Sequence, residues 1–202
     1  MKKMNWIDFQ NKILEFDLKI FSPGDLLKIF NVSPRSISGF INYYLKKGQI
    51  LKLRKNFYCL KVNKPQDFSI ANAIYKPSYI SLETALSYYS IIPETIYTIT
   101  SITSRKTKTF TCLEKEFFYH KVKIDFFTGY SFQKVNNEGF YIATPEKALV
   151  DFLYFCFLKR KKSPERMNLK NIKIREIFQY TKLTRSIDFE KFVKNFLNYA
   201  RF

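Results

Sequence analysis

The stretch from Ser22 to Lys61 constrains this chain more than any other. Ser22-Pro23 and Ser33-Pro34 each read as a helix start. The serine caps free N–H groups and the proline fits the first helical position. Gly48 reads as the stop of the second helix. Gln49–Leu53 and Phe57–Lys61 then read as two short strands joined by Arg54-Lys55-Asn56. Helix, tight turn, helix and basic hairpin is the order of a winged helix-turn-helix, whose usual work is binding duplex DNA.

Periodicity supports this. Ile37, Phe40, Ile41, Tyr44 and Leu45 form one apolar stripe at helical spacing. The opposite face carries Arg35, Gly39, Asn42 and Lys46, flanked by Ser36, Ser38, Tyr43 and Lys47. Arginine forks onto guanine, asparagine pairs with adenine, and serines and lysines hold phosphates. Arg35, Ser36, Ser38 and Asn42 are therefore the expected base readers. Lys46, Lys47, Lys52, Arg54 and Lys55 are the expected phosphate contacts. Gly39 would let the backbone approach DNA closely, at a loss of helix stability relative to alanine. Asn56 falls where the turn needs a positive φ, which asparagine tolerates.

Charge points the same way. The 202 residues carry a formal net charge of +18. Residues 1–64 hold 13 Lys+Arg against 4 Asp+Glu, so about a third of the chain carries half of the excess. A field of that sign favours a polyanion, most simply nucleic acid. No apolar run approaches the ~20 residues of a membrane span, no lipidation signal is seen, and no signal-peptide pattern precedes Trp6. Ala148–Leu158 is the longest apolar stretch and is interrupted by Asp151, so it reads as a core helix. Cys59, Cys112 and Cys156 are far apart and odd in number, which suits reduced thiols in a cytoplasmic protein.

Around that centre the chain divides. Trp6, Phe9, Ile13, Phe16 and Ile20 predict a first helix within Met1–Ile20, which would support the reading helix. Val62–Lys76 reads as a linker containing a short helix, with the boundary near Asn63–Pro65. The expected fold is α+β: residues 1–63 a winged helix-turn-helix, and 64–202 a mixed domain with an antiparallel sheet and packed helices. In the second part Ser81 reads as a helix cap, and Ile96–Ser104, Lys108–Leu113 and Phe117–Phe127 as strands. Asn136-Asn137-Glu138 reads as a hairpin turn, and Thr144-Pro145-Glu146 as a helix start running to about Leu158. Two further helices follow, near Ile172–Tyr180 and, capped by Asp188, Phe189–Tyr199.

Two segments of the second part carry a family resemblance. One is Tyr79-Ile80-Ser81-Leu82-Glu83-Thr84-Ala85-Leu86-Ser87-Tyr88-Tyr89, followed by Ile92-Pro93-Glu94. The other is Ile142-Ala143-Thr144-Pro145-Glu146-Lys147-Ala148-Leu149-Val150-Asp151. Behind a wing ending Leu53-Arg54-Lys55-Asn56-Phe57-Tyr58, they make residues 20–158 resemble the AbiEi-type antitoxins of abortive-infection, type IV toxin–antitoxin systems. The resemblance implies a phage-defence antitoxin and autorepressor that binds inverted repeats in its own promoter. It also implies opposition to a nucleotidyltransferase-like toxin, without need of a stable complex. The family usually has glycine at the wing tip, where this chain has Asn56. The alternative is a stand-alone winged-helix regulator whose second domain senses a ligand or dimerises.

No enzyme activity, cofactor or metal is expected. Glu83 and Glu146 read as carboxylates stabilised at helix starts rather than as an acid–base pair. Glu146 is followed directly by Lys147, so the Glu-x-Lys of a metal-dependent nuclease is absent. There is no P-loop or dinucleotide fingerprint, and His120 is the only histidine. Lys159-Arg160-Lys161-Lys162, and Arg105-Lys106 with Lys108, read either as further nucleic-acid contacts or as solvated surface.

Overall fold

A computed structural model describes residues 4–162 and 166–199. It is α+β and divides into two compact units, residues 1–74 and 75–202. The division falls at Ile74/Tyr75, beyond the boundary expected near Asn63–Pro65. The difference is helix α4 (Asp67–Ile74), whose buried Ile70, Ala71 and Ile74 fold with the first unit.

In the N-terminal unit, α1 is Trp6–Glu15, α2 is Pro23–Ile29 and α3 is Pro34–Lys46. Strands β1 (Ile50–Arg54) and β2 (Phe57–Leu60) pair antiparallel. The first helix is shorter than its periodicity predicts. It stops before Asp17, which adopts φ +46°, and this leaves Phe16 exposed instead of in the core. Asn5 caps it, its side chain accepting from the Asp8 N–H at 2.9 Å. Ser22 and Asp25 form a reciprocal capping box, and Ser33 Oγ accepts from the Ser36 N–H at 3.2 Å. Gly48, at φ +67°, closes α3. Its N–H donates to the Leu45 carbonyl and the Gln49 N–H to the Tyr44 carbonyl, both at 3.0 Å, the paired bonds of a Schellman stop. Phe9, Ile13, Phe21, Leu26, Ile37, Ile41 and Ile50 make the core, with Phe40, Tyr44 and Leu45 of the apolar stripe packed against it.

The C-terminal unit is built on six strands: β3 (Ser78–Ile80), β4 (Ile99–Thr103), β5 (Lys108–Cys112), β6 (Lys115–Lys121), β7 (Tyr130–Val135) and β8 (Glu138–Ala143). Their spatial order is β5-β6-β4-β3-β8-β7. The expected antiparallel sheet is corrected to a mixed one, because β4 pairs with β6 and β3 with β8 in parallel. Asn136 and Asn137 both take positive φ in the β7–β8 turn, as a two-residue hairpin asks. Helices α5 (Leu82–Tyr88), α6 (Pro145–Phe157), α7 (Ile174–Lys182) and α8 (Ile187–Tyr199) complete the unit. Thr144 caps α6 by accepting from the Lys147 N–H at 3.3 Å. Two expected caps are corrected. Asp188 lies inside α8, and Ser186 Oγ accepts from the Phe189 N–H at 3.2 Å instead. Ser81 precedes α5 but its hydroxyl does not cap it.

That hydroxyl belongs to a buried polar knot. Ser81 Oγ donates to Asp151 Oδ2 at 2.7 Å and the Tyr79 hydroxyl donates to the same oxygen at 3.1 Å. Lys147 Nζ pairs with Asp151 Oδ1, and Lys147 and Asp151 are both fully enclosed. The ammonium also lies 3.7 Å from the centre of the Phe126 ring. Burial pushes the Asp151 carboxyl up and the Lys147 ammonium down, while the pairing opposes both shifts. The two segments singled out in the sequence thus meet through their polar side chains, inside the fold.

Candidate nucleic-acid interface

Helix α3 turns one face to the core and one to solvent. Ile37 and Ile41 are buried, whereas Arg35, Ser38, Gly39, Asn42 and Lys46 are exposed. These five recur at three- and four-residue steps, so they share one side of the helix. Arg35, Asn42 and Lys46 take part in no ion pair among the described residues. Lys47 is exposed, with Nζ 4.6 Å from the centre of the Tyr43 ring. A hydrogen bond to the Tyr43 hydroxyl raises its pKa. Ser36 is less available than expected, because its hydroxyl is bonded to Ser33 Oγ at 2.9 Å beside the helix cap.

Gly39 sits in the middle of the exposed face. A side chain there would meet nothing within 4 Å. Neither internal packing nor a left-handed φ requires a glycine at that position. It nonetheless weakens an exposed helix by about 1 kcal/mol relative to alanine.

The β1–β2 hairpin projects Lys52 and Lys55 into solvent, while Leu53, Cys59 and Leu60 are buried. Asn56 takes φ +66° at the tip. Arg54 is partly buried. Its guanidinium donates to the Ile74 carbonyl at the end of α4, so it ties the hairpin to that helix. The first unit holds 13 Lys+Arg against 5 Asp+Glu over residues 1–74. The structure therefore gathers Arg35, Ser38, Asn42 and Lys46 on one helix face, with Lys47 exposed just past its C-terminal end, and Lys52 and Lys55 on one hairpin. Ser36 and Arg54 make hydrogen bonds within the unit, to Ser33 and to the Ile74 carbonyl.

The two carboxylates weighed as catalytic groups differ in their surroundings. Glu146 is buried and accepts from the Lys173 N–H at 3.1 Å. Glu83 pairs with Lys161, and its other oxygen, Oε2, is buried with no hydrogen-bond partner. No group of three metal-binding side chains occurs among the described residues. Nor is any helix among them long and apolar enough to cross a membrane.

Glu83 opens onto a cavity of 590 Å³ in the second unit, lined also by Thr98, Phe118, His120, Arg160 and Lys161. Sequence reasoning missed it, because its residues come from four separate segments. The His120 ring lies 4.4 Å from Phe118 and 4.6 Å from Phe155. Burial, and then the charges of Lys161 and Arg160, lower its pKa to about 4. The folded protein thus holds the ring neutral where an unfolded chain, at about 6.5, would protonate it. That contribution to stability is complete above about pH 6.5 and is lost as pH falls towards 4. His120→Gln should therefore flatten the loss of stability between about pH 6.5 and 4 by on the order of 1–2 kcal/mol. The full shift is discounted because the ring is partly open to solvent. Urea midpoints of both proteins across that range check it, and parallel pH profiles would count against a buried neutral ring.

No family model matches the chain, and no curated protein matches it in sequence.

Proposed function

We propose that the N-terminal unit is a winged helix-turn-helix that seats α3 in the major groove of duplex DNA. The β1–β2 hairpin is its wing. On this reading the protein is a DNA-binding repressor of its own operon and the antitoxin of a type IV, abortive-infection pair. It opposes a nucleotidyltransferase-like toxin, works in the cytoplasm and has no enzyme activity. The antitoxin part rests on the resemblance carried by Tyr79–Glu94 and Ile142–Asp151. The DNA-binding part rests on geometry and charge.

The observation that carries it is the open, glycine-centred and cationic face of α3. Arg35 and Asn42 bring the two side-chain types that fork onto guanine and adenine edges, and both are exposed. Between them Gly39 leaves bare backbone that no internal contact explains. Close approach of a duplex accounts for it.

Gly39→Ala separates folding from binding. It should stabilise the protein by about 0.5–1 kcal/mol, because the helix gains a better former with open space around it. It should also weaken binding to the preferred duplex. In the same gel-shift series, Asn42→Ala should cost about 1–3 kcal/mol on that duplex and relax its sequence preference. Lys55→Ala should weaken all duplexes alike. If none of the three moves the binding curve, α3 is not the reading helix. Co-expression with the adjacent open reading frame, scored as growth rescue, tests the antitoxin half.

One observation favours a second reading for the C-terminal unit. The 590 Å³ cavity falls within the usual range for small-molecule sites, which suits a stand-alone regulator that senses a ligand. A neighbouring toxin gene, or its lack, discriminates between the two.

A further inference from the structure

The cavity of the C-terminal unit carries chemistry of its own. Glu116, Phe118 and His120 alternate along β6, so their side chains share one face of the sheet and line the cavity together. Glu83 of α5 and Arg160-Lys161, just beyond α6, complete the polar part of the lining. Two carboxylates thus meet two cations. Burial, and then the charges of Lys161 and Arg160, keep His120 uncharged near neutral pH, so the lining as a whole carries no net charge.

These charges are not all spent on one another. Lys161 pairs with Glu83 Oε1, and their side chains are only 16% and 24% exposed. Glu83 Oε2 is buried and has no hydrogen-bond partner among the described residues. A shielded carboxylate oxygen without a donor is costly, so a ligand that brings an N–H to it gains more than it would at a solvated surface. The last torsion of a glutamate is broad, and a small turn about it presents that oxygen to the cavity. Arg160 and Glu116 are exposed, and neither is in an ion pair among the described residues. The Arg160 fork is therefore open to a carboxylate, which it matches with two parallel hydrogen bonds. The rings of Phe118 and His120, 4.4 Å apart, add an apolar surface in the same cavity.

We propose that the cavity binds a free α-amino acid with an apolar side chain: Glu83 and Glu116 accept from its ammonium, Arg160 holds its carboxylate, and Phe118 and His120 pack against its side chain. The assignment rests on the second reading above in taking the cavity for a ligand site, and it names the class of ligand. A zwitterion suits a lining in which both signs are present and balanced. A nucleotide would bring several negative charges against two carboxylates, with only two cations to meet them. A fatty acid, having no N–H, would leave Glu83 Oε2 unmatched.

The test titrates the full chain by calorimetry with L-phenylalanine and L-leucine. Two analogues run alongside, phenethylamine, which lacks the carboxylate, and 3-phenylpropionate, which lacks the ammonium. At least one amino acid should bind, and each analogue should bind at least about tenfold more weakly than L-phenylalanine. Arg160→Gln, at an exposed position, should cost the amino acid at least about tenfold and leave phenethylamine unchanged. Glu83→Gln and Glu116→Gln, with folds checked by circular dichroism, should weaken the amino acid and leave 3-phenylpropionate unchanged. If Glu83→Gln fails to fold, Arg160→Gln and Glu116→Gln still decide. No binding of either amino acid, or binding that Arg160→Gln leaves intact, would overturn the proposal. AMP is the rival probe. AMP bound while both amino acids are silent would end the amino-acid assignment and keep the cavity as a ligand site. Gel shifts on the preferred duplex, with and without saturating amino acid, address the regulator reading separately. An amino acid that binds through Arg160 but leaves DNA affinity unchanged supports the site and removes the sensing role.

Discussion

Replacing Asp151 by alanine is expected to destabilise the C-terminal unit by about 3–5 kcal/mol, because it leaves the Lys147 ammonium buried without its counter-ion. The Tyr79 and Ser81 hydroxyls would lose their acceptor at the same time. The desolvated ammonium would keep only the Phe126 ring face, a weaker partner than a carboxylate. The paired replacement Lys147→Met with Asp151→Leu should behave differently. It removes both charges and keeps similar volume, and buried pairs replaced in this way are often neutral or better. The expected signature is therefore strong non-additivity, read by calorimetry on the two single variants and the double. If the double falls as far as the sum of the singles, the knot is not held by the pairing of these two charges. This outcome also bears on function. Lys147 and Asp151 have no solvent access, so a large effect on folding, with no selective effect on DNA affinity, is what a structural pair gives.

The same knot shows where sequence reading ran out. Signals that act within one turn of helix were legible. Ser22, Ser33 and Thr144 each precede a proline and each caps its helix, because the capped N–H lies only a few residues away. Gly48 and Asn56 likewise declared their positive φ. Ser81 carries a similar local signal, but a carboxylate seventy residues away takes its hydroxyl. The cap in turn is missing, and α5 opens on Leu82 at φ +58°. Such a conformation persists only when its surroundings fix it. Here Asp151 holds the Ser81 side chain, and Thr100 Oγ1 donates to the Ser81 carbonyl at 2.8 Å.

Strand direction failed for a related reason. Alternation marks a strand but says nothing of which neighbour it finds, so the parallel pairings of β4 with β6 and β3 with β8 were invisible. The β5–β6 turn gave no warning either. Leu113 and Glu114 both take positive φ there, without the glycine or asparagine that usually announces such a turn. In the candidate interface, the side and spacing of Arg35, Asn42 and Lys46 were legible from period alone. The diversion of Arg54 to the Ile74 carbonyl was not, since it depends on α4 folding back onto the hairpin.

The core beneath α3 supplies the second large effect. Phe9 is fully buried in α1 and touches four other rings. Trp6, Phe21, Phe30 and Phe40 lie at centroid distances of 5.6, 5.6, 5.9 and 4.9 Å. Phe9→Ala removes a whole ring from between α1, α2 and α3, at an expected cost of about 3–5 kcal/mol. A unit of this size has roughly 4–11 kcal/mol in total, so the loss takes a large share of it. The chain reports on the change itself. Trp6 is its only tryptophan and stacks on Tyr44 of α3 at 4.2 Å, so indole fluorescence follows the docking of α1 on α3. The fluorescence midpoint in urea should fall sharply in Phe9→Ala. If α3 binds DNA as proposed, affinity for the preferred duplex should fall with it as α3 loses its support, although Phe9 itself is fully buried. Lowering the temperature should restore part of that affinity, because it repopulates the folded unit, whereas Asn42→Ala should stay impaired at every temperature. Equal temperature responses in the two variants would mean that the rigidity of α3 does not depend on the cluster around Phe9.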